Sequence, residues 1–218
     1  MSDWEVDRRQ VFIGGLSNGG AMANLMGATY PDIYAVVFSH SGATYKCDGG
    51  AVIGCGTTPE RSSRDILAEM GPRARVMPFI VFQGSDDPAV PPKESQTIVG
   101  AWLIVADIAD DGANNGSVSR QPSSVRRGMV PNGHPYTVSY YVDRNGCSLG
   151  EYWFVEGMRH AYSGGPAITP QGIAVDTNSE RKVSFAGTDP AGPDATGAVY
   201  RFFTAHPMGR HKGTGSCR

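Results

Sequence analysis

The residues best equipped for chemistry begin at Gly15-Leu16-Ser17-Asn18-Gly19, a G-x-S-x-G pattern in which a serine hydroxyl becomes a nucleophile once a base takes its proton. The pattern alone says little, because this glycine and serine content gives roughly 0.3 matches by chance. A second match does occur, at Gly146-Cys147-Ser148-Leu149-Gly150. Context separates the two. A nucleophilic serine of this kind sits on a sharp turn between a buried strand and a helix, and the residues two away from it must be nearly free of side chain. Ser17 has the apolar run Val11–Gly15 before it and GGAMANLM after it, with Gly20 a further point of close helix–strand approach. The start of that helix also aims free N–H groups at an anion formed beside Ser17, and the N–H of Asn18 is the candidate oxyanion donor. Ser148 instead follows Asn145-Gly146 between two alternating runs and reads as a solvated serine at a hairpin tip. The competing reading of the first turn is a phosphate-binding or merely packing glycine loop. Against it, the segment has no G-x-x-x-x-G-K-[ST] pattern and no convincing acidic partner for a ribose.

A serine nucleophile needs a base and an acid, which in a sheet of this type follow later strands in the order serine, acid, histidine. PFIVFQ, residues 78–83, leads into Gly84-Ser85-Asp86-Asp87-Pro88, and Pro88 biases Asp87 toward extended backbone at a strand tip. Asp87 is the candidate acid, with Asp86 either the second choice or a solvated neighbour. EYWFVEG, residues 151–157, leads into Met158-Arg159-His160-Ala161-Tyr162-Ser163-Gly164-Gly165, which makes His160 the candidate base. Of the other histidines, His40 ends a strand beside Ser41 and suits a structural role. His134 lies in a turn, His206 ends a helix and His211 lies in a basic tail. The chemistry expected of Ser17, His160 and Asp87 is acyl transfer, with Asp87 holding the imidazolium and water releasing an acyl-serine.

These residues require a frame of alternating strands and helices. Helical patterns cover Gly19–Tyr30, Thr58–Met70 (Thr58 as cap, Pro59 in the first turn, Gly71-Pro72 as stop), a segment within Pro92–Asp107 and Asp194–His206. Strand patterns cover Val11–Gly15, Tyr34–Ser39, Pro78–Gln83, Tyr136–Val142 and Glu151–Glu156. The alternation predicts an α/β chain with a mostly parallel sheet flanked by helices, one domain over residues 1–218. Residues 108–134 lack periodicity and read as a surface excursion.

With 218 residues the chain can bury a sizeable core, and 19 Lys and Arg against 21 Asp and Glu give no basic patch for nucleic acid or an anionic membrane. No run approaches the roughly 20 apolar residues of a bilayer span. Met1–Arg9 is polar and charged, unlike a signal peptide. Cys47, Cys55, Cys147 and Cys217 permit three pairings or four free thiols, with Cys47–Cys55 the first pair to test and no C-x-x-C to suggest zinc.

Taken together, the motifs resemble the α/β-hydrolase esterases of the polyhydroxybutyrate depolymerase and feruloyl/acetylxylan esterase type. VFIGGLSNGGAMA is similar to that family's nucleophile turn, FQGSDDPAVP to its acid segment and GMRHAYSGG to its histidine segment, while TDPAGPDATGAVYRFF (188–203) is similar to its closing loop and helix. Gln83, Arg159 and Tyr162 stand where the family usually has histidine, glycine and tryptophan. The resemblance implies a serine carboxylesterase with the triad Ser17, Asp87 and His160, acting on a small or polymeric ester without metal or organic cofactor, and an extracellular setting. It also implies an N-terminally truncated α/β-hydrolase, because the family's nucleophile turn follows its fifth strand. On that reading the second oxyanion donor is missing and the strand before Ser17 becomes an exposed sheet edge open to self-association. The alternative expectation is a catalytically impaired fragment or a non-catalytic interaction module of the same fold.

Overall fold

Two short strands buried on both faces set the layers of this molecule. The computed structural model describes residues 5–47, 55–165 and 187–209. In chain order these form β1 (Ile13–Leu16), α1 (Asn18–Thr29), β2 (Val37–His40), α2 (Pro59–Met70), β3 (Phe79–Gly84) and α3 (Pro92–Asp111). There follow β4 (Ser124–Met129), β5 (Pro135–Val142), β6 (Ser148–Val155), β7 (Tyr162–Ser163), β8 (Thr188–Asp189) and α4 (Ala195–Ala205). The main sheet runs β1-β2-β3-β6-β5-β4. Its first four strands are mutually parallel, while β5 and β4 complete it antiparallel. The expected mostly parallel α/β sheet is therefore present, with β1 and β4 at its two edges among the described residues.

Successive side chains of a strand point to opposite faces, and the two cores follow from that. Val37, Phe79 and Val81 face one layer with Ile66, Met70, Ile98, Trp102 and Val105 from α2 and α3. Phe38, Ile80 and Phe82 face the other, with Val138, Trp153 and the α4 residues Ala198, Val199 and Phe202. Because β2 and β3 are buried on both faces, YAVVFS and PFIVFQ read as continuous apolar runs rather than alternating ones.

The helix ends obey their local signals. Thr58 caps α2 by accepting from the Arg61 N–H, and Gly71 ends it at φ 52°. Asp194 caps α4 through the Gly197 N–H. The helix expected within Pro92–Asp107 extends one further turn to Asp111 before Gly112 ends it at φ 91°.

Residues 108–134 differ from the sequence reading. They include β4, which pairs with β5 from Ser124 opposite Tyr140 to Met129 opposite Pro135. β4 is exposed along nearly all its length, so no hydrophobic alternation marks it, and its register comes from main-chain bonds to β5. The preceding loop is tied down by Asp107, whose carboxylate accepts from the N–H groups of Gly116 and Val118 and from the Ser117 hydroxyl. The hairpin between β5 and β6 forms as expected. Asp143 Oδ1 accepts from the N–H groups of Asn145 and Cys147, Gly146 has φ 81°, and Ser148 opens β6 on the surface.

Cys47 and Cys55 form a disulfide, and Cys147 is also disulfide-bonded. Cys217 lies outside the described residues. No described helix is long and apolar enough to cross a membrane.

One buried polar residue links the layers. Asn24 of α1 donates to the carbonyls of Gly20 (3.1 Å) and Ala43 (2.9 Å) and to Ser39 Oγ (3.1 Å), while its Oδ1 accepts from Trp102 Nε1 (3.0 Å). Asn24→Ala leaves the indole N–H and a carbonyl buried without these bonds. That change should cost about 2–4 kcal/mol, read as a lowered urea midpoint with an unchanged slope.

Candidate active site

The four parallel strands end on one edge of the sheet, and the candidate residues follow three of those ends. Ser17 joins β1 directly to α1 at φ 58° and ψ −120°, backbone that side-chain-bearing residues rarely adopt. It is held there by a bond from its N–H to the His40 carbonyl (2.9 Å) and by the Ala21 N–H donating to its own carbonyl (2.9 Å). A Cβ on Gly15 would lie 2.7 Å from the Gly19 carbonyl carbon, and one on Gly20 would lie 3.0 Å from both Gly15 O and Ser39 Oγ. Gly20 thus marks close packing, as expected. Gly19 departs from expectation, since a Cβ there would meet nothing within 4 Å. What matters at Gly19 is that its backbone occupies the space Gly15 leaves. Ser17 is half-buried, and Asn18 is exposed as the first residue of α1. At that position an N–H takes no part in the helix ladder and points from the helix start.

Asp87 lies in the loop after β3, and its carboxylate is surrounded by donors. Oδ1 accepts from the N–H groups of Ala89 (2.9 Å) and Val90 (2.8 Å), while Oδ2 lies 2.8 Å from His160 Nδ1 and accepts from Gln83 Nε2 (3.3 Å). Burial pushes this carboxyl upward, but the bonds from His160, Val90 and Ala89 outweigh it and hold the group below its ordinary value. Asp86 is exposed and accepts from its neighbour Ser85, as a solvated residue would. His160, in the loop after β6, is 2% exposed and turns Nδ1 to Asp87, which makes Nε2 the nitrogen able to accept a proton. The structure therefore brings Asp87 and His160 into contact and sets Ser17 on the same sheet edge, joined through β2.

The remaining histidines are engaged elsewhere. His134 Nε2 lies 2.9 Å from Asp189 Oδ2, at the end of β8. His206 faces the carbonyls of Phe202 and Ser148. His211 lies outside the described residues. His40, at the tip of β2, is wholly buried. Its ring stacks with Phe82 (5.5 Å) and Tyr162 (5.4 Å), and Nε2 accepts from the Ser163 N–H (3.0 Å). Sequence reading gave His40 a structural role without identifying these partners, because the run before it shows burial but not what the loop after β6 brings. Gln83 points at Asp87, and Arg159 is exposed. Among the described residues, Cys47, Cys55 and Glu94 come within ligand distance of one another. The two sulfurs are joined, so the group offers no thiolate to a metal.

The chain is 28% identical over 147 residues to an acetylxylan esterase of Coprinopsis cinerea, covering 60% of this chain and 36% of that protein. It is 31% identical over 62 residues to feruloyl esterase B of Neurospora crassa, covering 28% of this chain and 21% of that enzyme. Among solved structures it matches an acetyl xylan esterase from Aspergillus awamori at TM-score 0.53 and 22% identity, over 73% of this chain and 57% of the other. It matches a PHB depolymerase complexed with an R3HB trimer at TM-score 0.57 and 15% identity, over 97% and 56%. The chain is similar in sequence to the first two and has the α/β-hydrolase fold of the solved esterases. It spans 36% of the Coprinopsis relative's length and little over half of the two solved structures. No protein-family model matches it.

Two outcomes follow from this geometry. Ser17→Gly relieves a positive φ and should raise unfolding free energy by about 1 kcal/mol, strain relief outweighing the glycine's greater entropy loss. Ser17→Ala should leave it near the wild-type value in the same denaturant titration. The second concerns His40, whose pKa burial lowers from 6.5 to about 3, with His160 adding to the effect and Asp87 opposing it. Between these values the unfolded chain binds a proton there that the folded chain does not, so stability is lost as pH falls. The contribution is up to about 1.4 kcal/mol per pH unit. Below pH 6.5 the wild type should lose stability more steeply than His40→Gln, measured by urea unfolding at pH 6 and pH 4. Asp87, held below its ordinary 3.8, adds a further loss of stability as pH falls below that value.

Proposed function

We propose that this chain is a serine carboxylic-ester hydrolase using Ser17, His160 and Asp87. The observation that carries the reading is Ser17 at positive φ between β1 and α1, on the sheet edge that also holds the buried Asp87–His160 pair. In this mechanism His160 Nε2 takes the Ser17 proton while Oγ attacks the ester carbonyl. The N–H of Asn18 donates to the oxyanion, and the imidazolium returns its proton to the leaving alcohol. Water, deprotonated by the same histidine, then releases the acid from the acyl-serine. Asp87 stabilises the imidazolium and fixes the tautomer that leaves Nε2 available.

The substrate class we propose is an acetyl or hydroxycinnamoyl ester of a plant polysaccharide, after the acetylxylan and feruloyl esterases among the relatives. A hydroxybutyrate ester is the second reading, supported by the fold match to a PHB depolymerase over 97% of this chain. An oxidising, extracellular setting fits the Cys47–Cys55 disulfide and the bonded Cys147.

The test is covalent labelling by a fluorophosphonate together with p-nitrophenyl acetate turnover. Wild type should label at Ser17 and turn over, and Ser17→Ala should lose labelling and at least about 10³-fold in kcat. Folded wild-type protein that neither labels nor turns over would establish the non-catalytic alternative.

A further inference from the structure

A wholly buried histidine costs more to place than a phenylalanine of similar shape unless its nitrogens have work to do. His40 has three polar attachments, and they lead to two different arms of the candidate site. Its carbonyl accepts from the N–H of Ser17 at 2.9 Å. Its ring Nε2 accepts from the N–H of Ser163 at 3.0 Å, three residues beyond His160. Nδ1 lies 3.2 Å from Ser41 Oγ, and because Nε2 accepts, Nδ1 is the nitrogen that carries the hydrogen. The ring also stacks on Tyr162, two residues beyond His160, and on Phe82 of β3.

We propose that His40 is a positioning residue that sets the His160 loop at a fixed distance from the Ser17 turn, with its carbonyl on one and its imidazole on the other. From outside, the same loop is held by pairing of β7 with β8 and by the Ser163 hydroxyl on the Pro193 carbonyl (2.7 Å). That outer attachment fixes the loop to the segment before α4. The inner attachment, through His40, ties the loop to the residue whose carbonyl also holds the Ser17 N–H. The inference rests on the esterase reading of Ser17 and His160, and its role is geometric, since His40 touches neither reacting atom.

The test compares His40→Phe, which keeps an aromatic ring but offers no acceptor, with His40→Gln, whose side-chain oxygen can replace Nε2. In variants whose melting shows them folded at the assay temperature, His40→Phe should lower kcat for p-nitrophenyl acetate on the order of 10²-fold with KM nearly unchanged. His40→Gln should recover at least about tenfold of that loss. Equal kcat in wild type and His40→Phe, or equal losses in both variants, overturns the proposal.

A second readout requires neither activity nor a variant. In wild-type protein labelled with ¹⁵N, a through-hydrogen-bond coupling should connect the Ser163 amide to His40 Nε2, and its absence overturns the proposal even where His40→Phe does not fold. If wild type fails to label at Ser17, the esterase reading falls. The inner attachment is then judged by the downfield Nδ1 proton of His160, which His40→Phe should broaden and His40→Gln should retain.

Discussion

The candidate site depends first on how closely α1 approaches the ends of β1 and β2. Gly15 leaves room for the Gly19 backbone, Gly20 lies against Gly15 O and Ser39 Oγ, and a Cβ on Gly42 would fall 2.4 Å from that same hydroxyl. With side chains at these points the helix would stand away from the sheet, and the chain could not turn from strand to helix within one residue. That abrupt turn places Ser17 at positive φ. The contact is kept by the saturated hydrogen bonds of Asn24, which engage α1, β2, the Ala43 carbonyl and Trp102 of α3 together. Strain at Ser17 is thus supported by satisfied bonds and tight packing around it, the condition under which strained backbone persists.

Electrostatics at the sheet edge is arranged around one negative charge. Asp87 is stabilised as a carboxylate by two main-chain N–H groups, Gln83 and His160, although it is buried. Two buried histidines lie near it, with different partners. His40 has no carboxylate on its ring and stays neutral, whereas His160 holds Asp87 directly. His40, uncharged, keeps the lone pair with which it accepts from Ser163.

The antiparallel half of the sheet has a different task. β5 and β6 carry Trp153 and Tyr136 onto the face that α4 covers, with Phe82 stacked on Trp153 at 5.0 Å. β6 pairs with β3 in parallel, so the loops bearing Asp87 and His160 leave neighbouring strand ends in the same direction. The antiparallel addition supports β6 from its other side, away from β3.

The sequence by itself determined the parallel α/β order, the cap of α2, the hairpin that disqualifies Ser148 and the preference for Asp87 over Asp86. Each depends on local rules: side-chain periodicity, turn chemistry, or a proline that restricts the residue before it. Tertiary structure alone decided the contact of Asp87 with His160, because 73 residues separate them and only strand order makes β3 and β6 neighbours. It also decided that Ser124–Met129 is a strand, since an exposed edge strand takes its register from its partner's main chain and leaves no hydrophobic pattern. His40 shows the same limit. Its burial is legible in the apolar run before it, but its bonds to Ser17 and to Ser163 exist only where three distant segments meet.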